Sequence, residues 1–174
     1  MVSLLSAAII IMVLAIGVIL IRRAVISSTK DIVSQERVNM RFQPGKSSFP
    51  IHKVQFISVI IFMPPGAQLS AIDLTIRAKG IAIESAGSVE PLEPNTGVFK
   101  EITKEKTQDG YHVSYISFQK ESLLPRIARI PLAIERSEPG DVTLSIDRAK
   151  STIVGTPDNK AFIIDADSVQ FSFK

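Results

Sequence analysis

The sequence predicts an all-β sandwich domain preceded by one transmembrane α-helix. Three patterns lead to this fold class: an apolar run at the N-terminus, a period of two in the apolar residues from Val38 onward, and turn residues between the periodic segments. Hydrophobic residues make up 45% of the 174 residues, and the mean hydropathy is +0.25, which is high for a soluble domain. The chain therefore has room for one ordinary domain and an appendage.

The N-terminal run from Val2 to Ile21 contains only apolar or small residues, interrupted by two serines and one glycine. A helix of about 20 such residues spans the hydrocarbon core of a bilayer. Arg22 and Arg23 end the run, and their long side chains can reach the lipid headgroups. Residues 1–23 are therefore predicted to be a transmembrane helix or signal anchor, and residues 24–37 a polar juxtamembrane stalk.

Three alternatives to the anchor remain open. A cleaved signal peptide usually has a shorter apolar run, a basic start and an Ala-x-Ala site, none of which is present here. A fully buried core helix is rare in a small domain. A type IV pilin-like helix typically carries a glutamate at its fifth position, where this chain has Leu5.

Two features of the sequence conflict over which side of the membrane the C-terminal domain occupies. Arg22, Arg23 and Lys30 follow the apolar run and nothing basic precedes it, which would place the domain in the cytoplasm under the positive-inside rule. The family resemblance given below favours the opposite side. We therefore expect a single-pass protein of the cell membrane with its C-terminal domain, residues 38–174, outside the cell.

Four segments of the domain alternate apolar and polar residues. Because side chains of a strand alternate between two faces, one face of each segment is predicted to be buried and the other wet, as in a two-sheet sandwich. The residues predicted to face the core are Ile72, Leu74, Ile76, Ala128, Ile130, Leu132, Ile134, Val142, Leu144, Ile146, Val169, Phe171 and Phe173.

Turn signals separate the strands. Proline fixes φ, while glycine, asparagine and aspartate tolerate positive φ. These signals are Pro44-Gly45, Pro64-Pro65-Gly66, Asn95-Thr96-Gly97, Asp109-Gly110, Pro139-Gly140 and Pro157-Asp158-Asn159. Pro131 lies inside a predicted strand and cannot donate a ladder hydrogen bond, so that strand is predicted to be an edge or to be bulged there.

One segment, His52 to Met63, is apolar on both faces and carries the only candidate binding surface. Two interpretations are open for the face formed by Ile57, Val59 and Ile61. Either the connection around Phe99 covers it and it is core, or it is an exposed patch that docks a partner. Ile57, Val59 and Ile61 are therefore the candidate binding residues.

The chemistry of catalysis is largely missing, so we do not expect an enzyme. There is no cysteine, no Gly-x-Ser-x-Gly elbow and no glycine-rich phosphate loop. The only histidines, His52 and His112, are interpreted as structural. A net charge of +3 without a basic cluster does not favour nucleic acid.

No cofactor and no metal are expected, and the alternative is a calcium ion. Asp158, Asp165 and Asp167 supply hard oxygen ligands at close spacing. Calcium needs six to eight oxygens, and no EF-hand spacing occurs here. These aspartates are accordingly weak metal candidates, and use in turns and caps is the competing interpretation.

Most of the chain resembles the cohesin-like modules, a family whose members share a nine-stranded jelly-roll sandwich with several carbohydrate-binding modules. The similar stretches are Val38–Pro44, His52–Gly66 with Leu69–Arg77, Ile127–Ile134 with Glu138–Leu144, and Asp167–Lys174. Arg77-Ala78-Lys79-Gly80 departs from the acidic Tyr-Asp-Pro-like turn of the family, so dockerin-contacting residues are not carried over. The resemblance implies a jelly roll of about nine strands that is often extracellular and attached to a membrane or wall.

The function expected from these patterns is non-catalytic binding at the cell surface by a membrane-anchored module. The resemblance implies a dockerin-like protein or a polysaccharide as the partner, besides the membrane itself. The alternative, from a different class, is a structural subunit of a pilus-like filament or an envelope assembly.

Overall fold

The computed structural model describes residues 36–94 and 96–174. The predicted transmembrane helix and all of the predicted stalk except its last two residues lie outside the described residues. Glu36 to Lys174 form one compact unit. No helix in residues 36–94 and 96–174 has both the length and the apolar character that a membrane span needs.

The described residues form thirteen strand segments and two short 3-10 turns, Glu121–Leu123 and Arg148–Lys150. The strands are β1 (Arg37–Gln43), β2 (Ser48–Phe49), β3 (Gln55–Phe62), β4 (Gln68–Lys79), β5 (Ala82–Ala86), β6 (Glu90–Pro91), β7 (Lys100–Thr107), β8 (Gly110–Ile116), β9 (Ile127–Glu135), β10 (Gly140–Ile146), β11 (Thr152–Thr156), β12 (Lys160–Ala166) and β13 (Val169–Phe173).

The strands form two sheets. Sheet A has the order β12-β1-β3-β9-β5, with β6 also paired to β9. Sheet B has the order β2-β13-β10-β4-β8-β7, and β11 pairs with β4 beside β10. Because β12 pairs with β11 as well as with β1, it links the two sheets along one side.

One hydrophobic core lies between the sheets, and the predicted strand phase is confirmed where one face of a strand is polar. Leu74, Leu132, Leu144 and Phe171 are all buried, and each belongs to the single core cluster. Phe49 adds an edge-to-face contact with Phe171, with ring centroids 5.3 Å apart. The alternation therefore predicts correctly which side chains fill the sandwich.

The thirteen segments exceed the nine predicted strands for identifiable reasons. β2 and β6 are only two residues long. β10 and β11 line the same side of β4 one after the other, and Asp147 to Ser151 interrupt them opposite Thr75. The sequence pattern does not show this interruption, because residues 152–156 continue with strand-forming side chains.

Pro131 lies in an internal strand, so the edge alternative is wrong for the strand as a whole, and the register shift close to Pro131 lies in β5, between Ile83 and Ser85. β9 is flanked by β3 on one side and by β5 and β6 on the other. The carbonyl of Pro131 accepts a hydrogen bond from the Gly87 N–H at 2.7 Å. In an antiparallel pair both backbone groups of a residue face the same neighbour. The missing N–H of Pro131 therefore faces the gap between β5 and β6, where it breaks no ladder bond.

Candidate functional site

The outer face of sheet B presents charged side chains from three neighbouring strands. On β4 the outward phase carries Asp73, Thr75 and Arg77, because Leu74 and Ile76 point into the core. The register places His112 of β8 opposite Thr75, and Glu105 of β7 opposite His112. The imidazole therefore lies between carboxylates from the strands on either side.

His112 contacts both of these carboxylates. Its Nε2 lies 2.5 Å from Oδ1 of Asp73, and its Nδ1 lies 3.3 Å from Oε1 of Glu105. The hydrogen bond to Asp73 raises the pKa of His112 more than any other influence, partial burial opposes the shift, and Glu105 adds to it. When protonated, the ring donates to both carboxylates and ties β4, β8 and β7 together across the surface.

Arg77 and Asp147 form the second ion pair of this face. Nε and Nη2 of Arg77 donate to Oδ2 of Asp147 at 3.0 and 2.6 Å. Asp147 is buried where β10 ends, and its own N–H donates to the Thr75 carbonyl at 2.9 Å. The hydrogen bond from Arg77 holds the pKa of Asp147 below its usual range. This pair fixes the segment that interrupts β10 and β11.

A depression of about 340 Å³ opens between these two ion pairs. Its walls come from β4, the β7–β8 hairpin and the segment after β10, and Lys150 and Asp109 are among the lining residues. Both ring nitrogens of His112 already contact carboxylates, so neither is free to activate a hydroxyl nucleophile. The arrangement suits recognition of polar groups through fixed charges.

The candidate binding residues Ile57, Val59 and Ile61 have an exposure of 0% and belong to the core. Their predicted role as an exposed docking patch therefore does not agree with the structure. They are core, as the other interpretation expected, but they lie between the two sheets, and Phe99 is only one of the partly buried side chains packed against the same cluster. The outward phase of β3 carries Phe56, Ser58, Ile60 and Phe62 instead. Period two identifies two faces, but it does not tell which one is inward when both are apolar.

On the outer face of sheet A, two arginines flank Ile60. Arg41 lies opposite Ile60 on one side, and its guanidinium is 5.9 Å from the centroid of the Phe62 ring. Arg129 lies opposite Ile60 on the other side and pairs with Glu90 at 2.5 Å. Ile60 is consequently buried although it points outward.

The three weak metal candidates occupy separate positions. Asp158 has φ of 72° in the turn between β11 and β12. Asp165 lies in β12, with its Oδ1 3.7 Å from Nη2 of Arg148, and Asp167 lies in the turn before β13. Across residues 36–94 and 96–174, no group of three or more histidine, aspartate or glutamate side chains is placed to hold a metal ion.

His112 was interpreted from the sequence as structural and was not predicted to belong to a site. The available signal was weak: Asp73, Glu105 and His112 each lie on the polar phase of an alternating segment. Asp73 is 39 residues and Glu105 is 7 residues from His112 along the chain, so only the strand register brings the three side chains together.

No family model matches the sequence, and no curated protein matches it. Among solved structures, the domain is similar to a chain of a type I cohesin–dockerin complex from Clostridium thermocellum, with a TM-score of 0.60, 10% identity, and coverage of 79% of this chain and 99% of that one.

Two further cohesins are similar at comparable levels. One is the cohesin module of a family 33 glycoside hydrolase from Clostridium perfringens, with a TM-score of 0.57, 6% identity, and coverage of 80% and 98%. The other is a non-cellulosomal cohesin from the archaeon Archaeoglobus fulgidus, with a TM-score of 0.56, 8% identity, and coverage of 79% and 91%. At these identities the likeness concerns the fold, and the described residues of this chain form a cohesin-like β-sandwich.

Proposed function

We propose that this protein is a non-catalytic protein-binding module, displayed outside the cell on a single N-terminal membrane helix. The observation that carries the binding role is the depression framed by fixed charges on the outer face of sheet B. The cohesin-like fold supports it, since similar solved structures include cohesins in complex with dockerins. A dockerin-like protein is accordingly the proposed partner.

Sheet B is favoured over sheet A as the partner surface for two reasons. On sheet A the arginines already cover the outward apolar residue Ile60. On sheet B the charges of His112, Arg77 and Lys150 border an open depression, so an incoming side chain can reach them. Side chains that salt bridges already hold in place lose little further conformational entropy when a partner binds.

The membrane anchor rests on residues 1–23, whose apolar run is long enough to cross a bilayer as a helix. The proposed extracellular location rests on the resemblance to cohesin-like modules, because proteins that carry such modules are often attached to cell surfaces. A polysaccharide is not the ligand proposed for the depression, since the residues that line it include no Phe, Tyr or Trp side chain on which a sugar ring could stack.

A photo-crosslinking experiment tests the binding surface. A benzophenone amino acid is placed at Ser114, on the outer face of β8, or at Ser58, on the outer face of β3. Both serines are partly buried mid-strand residues, so they are matched controls. We expect an adduct with another protein from Ser114 and none from Ser58 when living cells are irradiated.

The other outcomes separate the alternatives. Equal adducts from both positions, or none from Ser114, would contradict binding through sheet B. An adduct with a second copy of the chain would support the filament or envelope subunit, and an adduct with glycan would support a polysaccharide ligand.

The chain has no cysteine, which allows a direct test of its location. Ser137 is exposed in the turn before β10, so Ser137→Cys supplies a single reactive thiol. We expect a membrane-impermeant maleimide to label this variant in intact cells. Labelling only after the cells are lysed would place the domain inside.

A further inference from the structure

Exposed apolar side chains are concentrated at one end of the sandwich. Eight large hydrophobic residues are exposed within residues 36–94 and 96–174. Four of them, with exposures of 38–75%, come from the connections that join β6 to β7 and β8 to β9. These four residues are Leu92, Val98, Phe118 and Leu123, and we refer to them as the apolar end patch.

Backbone and side-chain hydrogen bonds hold the two connections together. The Gly97 N–H donates to the Leu123 carbonyl at 2.6 Å, and the Ser117 hydroxyl donates to the Val98 carbonyl at 3.2 Å. The Leu92 N–H donates to the carbonyl of Ile127, the first residue of β9, at 3.0 Å. The two connections therefore lie side by side, which brings the four exposed apolar side chains to the same end of the sandwich.

This surface lies at the end of the sandwich where the chain enters β1. Asn39 of β1 pairs with Phe62 near the end of β3, and Phe62 pairs with Ile127 at the start of β9. Ser117, just after β8, bonds the Ser70 carbonyl near the start of β4. The apolar end patch and the point of attachment of residues 1–35 are consequently at the same end of the fold.

The length of the preceding chain limits how far this end can lie from a bilayer. Twelve residues separate Arg23 from Glu36. They span at most about 40 Å when extended and about 18 Å as a helix. The opposite end of the sandwich is farther away by the length of a strand, about 26 Å for the eight residues of β3. The stalk therefore tethers the end that carries the patch within reach of the bilayer, whereas it does not tether the opposite end.

The charged residues around the apolar end patch are of both signs, so they do not favour an anionic partner. Glu93 accepts hydrogen bonds from the N–H groups of Arg126 and Ile127, and Glu36 pairs with Lys160 at 2.9 Å. Lys120 and Glu121 are exposed neighbours of opposite sign. Apolar area is therefore the feature that would drive association, and long cationic side chains beside it can extend toward headgroups.

From these observations we infer that the apolar end patch docks into the headgroup region of the bilayer that holds the anchor. This inference rests on the proposed membrane anchor. It gives the stalk a geometric role, since docking fixes which faces of the domain point away from the membrane. Sheet B then stands with its strands running away from the bilayer and its outer face accessible from the side.

A depth-dependent quenching experiment tests the inference on the full chain, reconstituted in phosphatidylcholine vesicles. Phe118→Cys and Phe56→Cys each carry an environment-sensitive fluorophore, and no native cysteine competes. Both phenylalanines are exposed, but Phe56 lies near the start of β3, at the end remote from the patch. We expect about twofold quenching at Phe118 by a lipid with a shallow nitroxide, because interfacial side chains sit about 5–10 Å deep, and no quenching at Phe56.

Alkaline carbonate extraction of the same vesicles separates two failures. A chain that is retained by the membrane but unquenched at Phe118 would overturn the docking and leave the anchor standing. A chain that is extracted would overturn both. A blue shift at Phe118 without lipid quenching would show that a second copy of the chain covers the patch, and this also overturns the inference.

Discussion

The phase of β3 leads to the sharpest stability prediction. Ile57 is fully buried between the sheets, whereas its neighbour Phe56 is 69% exposed. Ile57→Ala removes three buried carbons, each worth about 0.8 kcal/mol in transfer, and leaves a cavity. The expected loss of unfolding free energy is therefore about 2–5 kcal/mol. Phe56→Ala is expected to cost less than about 0.5 kcal/mol, as is usual for an exposed side chain.

The assay is urea unfolding of the two variants and the wild type in the same detergent, followed by tyrosine fluorescence or circular dichroism. A lysine sharpens the contrast, because Ile57→Lys would bury an unpaired ammonium and should unfold the domain, while Phe56→Lys should not. Equal losses at the two positions would contradict the assigned phase of β3, and a larger loss at Phe56 would show that its inward and outward faces have been exchanged.

Three further predictions concern the ion pairs and one close contact. Because carboxylates raise the pKa of His112, its protonation stabilises the fold below about pH 6.5 and the effect is lost as pH rises through the raised pKa. The difference in Tm between wild type and His112→Gln should narrow toward about pH 9, and a constant difference would contradict this. Because the pKa of Asp147 is lowered, its ionised carboxylate stabilises the fold above about pH 4, and this stabilisation is lost as pH falls through the lowered pKa. Asp147→Asn should therefore make the urea midpoint depend less on pH in the acid range. Gly87→Ala would bring a Cβ within 2.5 Å of Cγ of Pro131; the expected cost of about 1–3 kcal/mol in denaturant melts should shrink in a Pro131→Ala background.

Local patterns predicted the strands well wherever one face was polar. In β4, β9, β10 and β13 the apolar phase is the buried phase, as expected from sequence. The turn at Pro157, Asp158 and Asn159 is also confirmed, with positive φ at Asp158 and Asn159. These features depend on neighbours within a few residues, so the sequence contains the information directly.

The candidate binding residues were misplaced for a physical reason that alternation cannot resolve. Both faces of β3 are apolar, and the outward one is tolerated because Arg41 and Arg129 cover Ile60 from the neighbouring strands. Those arginines come from other parts of the chain, about 20 and 70 residues away along the sequence. Only the pairing of β1 and β9 with β3 decides which of its two apolar faces points outward.

By itself, the sequence determined the all-β class, the alternating core and most turns, because these follow from side-chain period and backbone preference over short stretches. The tertiary structure alone decided the charged site, since the register of three strands brings Asp73, His112 and Glu105 together. It also decided that four exposed apolar residues from two separate connections lie at the end where β1 begins. Contacts between distant segments depend on how strands pair and how connections fold, and no local period records either.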